Sequence, residues 1–162
     1  GSPAIYSTAD ITVSDATLIS TKSEGAVVEG SNSITLKNVV LTDTNTTLNG
    51  NSETYKNIFL YQSMSGDADV GMATFTAKDS TITTNNGDTI FVTNTKATIN
   101  LENNIIINNS GDFLRIQTGK WGKSGSNGGT VTLNAVNQEI KGDIIVDNIS
   151  TLDFSLLWRN NK

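Results

Sequence analysis

An eight-residue pattern, apolar–x–apolar–x–[Asp/Asn]–x–x–apolar, recurs along this chain and leaves it few folds to choose from. It reads ITVSDATL from Ile11, ITLKNVVL from Ile34, FTAKDSTI from Phe75 and INLENNII from Ile99. Weaker copies start at Val131 (VTLNAV) and Leu152 (LDFSL). Self-similarity at a period of about 20–50 residues marks a repeat architecture, in which each unit buries its apolar face only against its neighbours.

Within the octet the first and third residues are apolar and the residue between them is polar: Ile11/Val13, Ile34/Leu36, Phe75/Ala77, Ile99/Leu101 and Val131/Leu133. A period of two is that of a strand with one buried face. The fifth position is Asp15, Asn38, Asp79 or Asn103. Asp and Asn tolerate left-handed backbone and bond their own main chain, so this position is a corner. Leu18, Leu41, Ile82 and Ile106 then open a second short strand, and triplets such as IFL at Ile58, IFV at Ile90 and LRI at Leu114 supply a third. Gly87-Asp88, Gly111-Asp112 and Gly142-Asp143 precede three of these triplets.

Three short strands and their corners per repeat predict an all-β, right-handed parallel β-helix of about six coils, with neighbouring coils about 4.8 Å apart. Octet starts are separated by 23, 41, 24, 32 and 21 residues, so the bare coil has about 21–24 and the longer intervals carry insertions. A sandwich or up-and-down barrel is the competing fold for short, evenly spaced strands. Stacking favours like residues at like positions, and the second octet position runs Thr12, Thr35, Thr76, Asn100, Thr132, Asp153.

The chain of 162 residues reads as a single domain, 1–162. Its net charge of -5 argues against nucleic acid and against an anionic membrane surface. No apolar run is long enough to insert into a membrane. With no cysteine and no histidine there is no thiolate or imidazole chemistry, and the commonest general base is missing. The polar residues are dominated by Thr, which suits exposed strand faces, and Asn, which suits turns. The open strand edges expected at both ends, without an evident cap, predict a segment of a longer protein or end-to-end self-association.

Rung lengths point to a ligand site. Val92 to Ile99 spans 7 residues, whereas Leu60 to Phe75 and Ile116 to Val131 each span 15. Two insertions, 61–73 and 117–129, should therefore leave the same corner on either side of a short coil. They would stand about 10 Å apart across a floor of Thr93, Asn94 and Thr95. Trp121, between glycines and lysines, offers a flat apolar face with a polar edge, suited to a sugar ring. Tyr61 is a second aromatic candidate. Gln62, Ser63, Lys120 and Asn127 are candidates for hydroxyl groups, and Arg115 sits at the outward middle of its triplet. Asp67 and Asp69 on the first insertion are candidate ligands for Ca²⁺, which takes several oxygens, although a lone D-x-D also occurs in ordinary turns.

The φ-T-φ-x-[D/N] rungs, the SEGAVVEGSNSITLKN stretch, the Gly-Asp corners and the closing VDNISTLDFSL resemble secreted bacterial parallel β-helix proteins. These are the carbohydrate-binding domains of polysaccharide-degrading anaerobes and the pectate-lyase-like adhesin repeats. The resemblance covers nearly the whole chain. It implies an extracellular or bacterial cell-surface location, a plant cell-wall polysaccharide as partner, and calcium. Lyases of this fold pair an acidic calcium cluster with a basic residue, and no acidic companion to Arg115 is evident in the sequence. The reading is accordingly a non-catalytic binding module or adhesin. A structural stalk, a lyase or hydrolase, and an ice-binding surface are the alternatives. Lys37, Lys78 and Glu102 interrupt the flat threonine array that ice binding needs.

Overall fold

The computed structural model describes residues 2–48, 54–63, 71–119 and 127–159. They are all-β, without a helix, and every strand pairing is parallel. One six-stranded sheet holds β1 (Ile5–Ser7), β3 (Ala26–Glu29), β5 (Lys56–Tyr61), β8 (Asp88–Thr93), β11 (Leu114–Ile116) and β13 (Ile144–Val146), in that spatial order. The other sheet holds β2 (Asp10–Ser20), β4 (Ser33–Thr44), β6 (Met72–Lys78), β7 (Thr81–Asn86), β9 (Thr95–Glu102), β10 (Ile105–Asn108), β12 (Gly129–Val136) and β14 (Thr151–Leu157). It bends at β4, whose first half pairs β6 and whose second half pairs β7.

The octet pattern explains this arrangement. Its apolar positions line one core between the sheets, where Ile34, Leu36, Phe75, Ala77, Ile99 and Leu101 are essentially inaccessible. Each large one contributes about 1.5–3 kcal/mol by leaving water. The corner residues Asp15, Asn38, Asp79 and Asn103 all have φ between 52° and 55°, the left-handed conformation that the sequence assigns them. They also bond to one another between repeats: Asn38 Nδ2 donates to Asp15 Oδ1 at 2.8 Å and Asn103 Nδ2 to Asp79 Oδ1 at 2.7 Å. One step further on, side chains close the turns from inside. Ser80 Oγ accepts from the Val39 N–H, Asn104 Oδ1 from the Ser80 N–H, and Gln138 Oε1 from the Asn104 N–H. The Gly-Asp corners need glycine because repeats touch there: a Cβ on Gly111 would lie 2.4 Å from the Gly87 carbonyl oxygen.

Three expectations shift in detail. The fifth copy of the octet is two residues out of step. Val131 pairs with Ala97 and Leu133 with Ile99, so the corner is Asn137, at φ 46°. Asn134, not Thr132, therefore follows Asn100 in the outward row, and the two amides bond at 3.0 Å. A shift of two keeps every side chain on its face, so the apolar alternation is blind to it. Asp143 is also out of step: Leu114 pairs with Ile144, so Asp143 falls one position off the row of Asp88 and Asp112. Finally, the repeat from Ile34 to Phe75 holds, besides 61–73, a further insertion at a different corner. Elsewhere five residues join the interior partners at this corner (Ser20 to Gly25, Thr84 to Thr89), but Asp43 to Asn57 takes 14.

Candidate functional site

The corner between β8 and β9 gathers the residues on which the sequence-derived site depends. Asn94 turns the chain there with φ 52°. Its Nδ2 donates to the main-chain oxygens of Gln62, at 2.9 Å, and Ser63, at 3.4 Å. Thr93 Oγ1 donates to the Asn127 carbonyl at 3.5 Å. Stems of both long insertions are thus fastened to one corner, from the repeats on either side of it. The register makes the second insertion longer than the first: Leu60 to Phe75 is 15 residues and Ile116 to Leu133 is 17.

Thr93, Asn94 and Thr95 are fully buried, so they anchor the stems and offer no open floor. Gln62, Ser63 and Asn127 are half-buried. Asp67, Asp69, Lys120 and Trp121 lie outside the described residues. Among the described residues no group of three or more acidic side chains is arranged to hold a metal ion.

Tyr61 is 7% exposed and stacks flat on Phe59, with ring centroids 4.4 Å apart. Its hydroxyl meets that of Tyr6 at 3.2 Å. Burial and that contact hold its hydroxyl far above the usual phenol range. Phe91 meets Phe59 edge-on at 5.8 Å, and Lys56 Nζ stands 4.4 Å above the Phe59 ring. Val27, Phe59, Tyr61 and Phe91 form a second apolar cluster, separate from the core, on the outer face of the six-stranded sheet. The outward middle residues of successive triplets foreshadow this row: Tyr6, Val27, Phe59, Phe91 and then Arg115.

Arg115 has the acidic companions that the sequence did not reveal. Its Nε donates to Asp88 Oδ2 at 2.9 Å, and an Nη to Asp112 Oδ2 at 2.5 Å. The other Nη reaches Gln117 Oε1 at 3.4 Å, at the start of the second insertion. Stacked carboxylates repel unless a cation bridges them, and here the guanidinium does so. Burial pushes the Asp88 carboxyl upward, and Arg115 offsets this only in part. The same stem is held by Asp147, which accepts from the Thr118 N–H at 2.7 Å. For Asp147 the bonds from Ser150, Thr118 and Ile149 outweigh the upward push of burial, and its carboxyl titrates below the usual range. Arg115 thus ties two carboxylates to the start of the second insertion, with a quarter of its side chain left exposed.

No protein-family model, curated protein or solved structure matches this chain.

Proposed function

We propose that the chain is a non-catalytic polysaccharide-binding module or adhesin-like domain, built as a right-handed parallel β-helix. Its ligand lies across the two insertions, 61–73 and 117–129. The observation that carries this reading is the double tether at Thr93 and Asn94, which draws the stems of both insertions to one corner. Two segments rich in glycine and polar groups, fixed at their bases and joined there by rigid sheet, make a surface suited to a long, hydroxyl-rich ligand. Trp121 supplies the flat apolar face for a sugar ring, and Lys120 a cationic donor beside it. Asp67 and Asp69 are the proposed calcium ligands. The proposed setting is extracellular or the bacterial cell surface, with plant cell-wall glycan as partner and end-to-end contact between copies at the open strand edges.

A glycan array run with and without chelator tests this directly. Binding to a plant polysaccharide that falls at least tenfold in Trp121→Ala, with an unchanged melting temperature, supports the reading. Absence of binding to every glycan, with or without calcium, refutes it. The second reading, a structural stalk, is favoured by the burial of Thr93, Asn94 and Tyr61 and by the internal pairing of Arg115, which leave glycan contact to the insertions themselves. Release of shortened product from pectin or xylan would instead assign catalysis.

A further inference from the structure

We propose that the free edge of β10 is a docking site for an extended peptide segment of another polypeptide, which adds there as a strand. Four successive repeats supply a strand to this side of the molecule: the second halves of β2 and β4, then β7, then β10. The fifth repeat does not. Residues 138–142 pass without a strand, and Ile140 alone packs against the core there. Among the described residues β10 consequently pairs only with β7.

The orientation of the edge follows from its bonds. The Ile105 and Asn109 N–H groups donate to Ser80 and Thr84, so the odd-numbered residues face β7. Peptide groups of the even-numbered residues face away, because a parallel strand alternates the sides to which its residues bond. The first of these, at Asn104, is already matched. Gln138 Oε1 accepts from its N–H at 2.8 Å and Gln138 Nε2 donates to its carbonyl at 3.0 Å, as the peptide group of an adjacent strand would. The next, at Ile106, is met by no strand. Two adjoining clefts of about 140 and 240 Å³ run along this edge, walled on the far side by Glu139, Lys141 and Gly142.

Side chains argue for a peptide in particular. The outward rows of this face read Thr17, Val40, Thr81, Ile105 and Ile19, Thr42, Thr83, Ile107. Threonine gives way to isoleucine at the free edge, where Ile105 is 62% exposed and Ile107 40%. An added strand would shelter both, with β-branched or aromatic residues as the best neighbours. Exposed strand edges bind extended peptides in this way: main-chain bonds give affinity and alternate side chains give selectivity. Glu139 and Lys141, ion-paired at 3.4 Å, border the cleft with both charges and favour an occupant of low net charge.

The probe is a fluorescein-labelled heptapeptide with the sequence of residues 80–86, the natural neighbour of β10, in which the two outward threonines (81 and 83) are replaced by valine. Saturable anisotropy is expected, together with slowed exchange of the Ile106 amide, which should exchange fast in the free protein. The same peptide N-methylated at alternate residues should bind at least tenfold more weakly. So should Ile105→Lys/Ile107→Lys protein, whose circular dichroism and melting should match the parent because both side chains are exposed. Three results would each overturn the proposal: no saturable binding, equal binding of the N-methylated peptide, or an Ile106 amide already protected in the free protein.

Discussion

Equivalent positions in β12 and β14 carry the same kind of residue and have different fates. Leu133 and Ala135 in β12 are fully buried, whereas their register partners Phe154 and Leu156 in β14 are 40% and 50% exposed. Both strands obey the same alternation. Burial here is conferred by having a neighbour on each side, and among the described residues β14 has one only on the β12 side. The pattern in the sequence therefore marks which face of a strand is apolar, and the stack decides whether that face is a core.

The largest test of this contrast is a pair of truncations. Phe75→Ala, in the middle of the stack, should cost about 3–5 kcal/mol in urea unfolding. Phe154→Ala should cost about 1–2 kcal/mol, because that residue is 40% exposed. Comparable losses at the two sites would mean that something covers β14.

A second contrast lies within one interior row, Ser20, Asp43, Thr84 and Asn108. Ser20 donates to Ser23, Thr84 accepts from Asn57, and Asn108 Nδ2 serves three acceptors. Asp43 is fully buried, and neither of its oxygens has a well-aligned hydrogen bond. Burial, helped by Glu24 and opposed by Ser20 and the Gly25 N–H, pushes its carboxyl up to about 8. The folded state thus holds a proton that the unfolded state releases near 3.8. The stability this proton contributes is fully present below about 3.8 and is lost as pH rises through about 8. Asp43→Asn should flatten that slope and stabilise the protein at pH 8 by on the order of 2 kcal/mol. Parallel pH profiles for the two proteins would show that Asp43 ionises normally.

A smaller effect than at Phe75 or Asp43 is expected at the corners. Asn103→Ala places a β-carbon residue at φ 54° and removes the bond to Asp79. It should cost about 1–2 kcal/mol, read as a lowered midpoint in urea. Asn137→Ala, at the equivalent corner beside the final repeat, should cost no more than this.

Strand faces and corners were legible because each follows from a local rule: alternation for the faces, and left-handed Asp or Asn for the turns. Register was less legible. Val131, Leu133 and Ala135 are all apolar on one face, so the fifth octet fits equally well two residues along. The guanidinium bridge was hidden for a related reason. Asp88 and Asp112 are visible as Gly-Asp pairs, but the reach of Arg115 to both depends on three strands lying side by side. At the candidate site the sequence located the two insertions and their shared corner. It did not show that the corner is closed over by their stems, since a threonine or asparagine reads alike whether it meets a ligand or a neighbouring carbonyl.

Everything rests on successive repeats pairing in parallel register. The chain has no cysteine, so nitroxide labels can be placed uniquely by Lys37→Cys and Lys78→Cys. These two exposed residues are 41 apart in sequence and directly paired between β4 and β6. Stacked repeats require strong dipolar broadening of the spectrum in the double-labelled protein, absent from either single label. Two non-interacting labels, with the protein folded, would contradict the parallel stack and with it the shared corner of the two insertions.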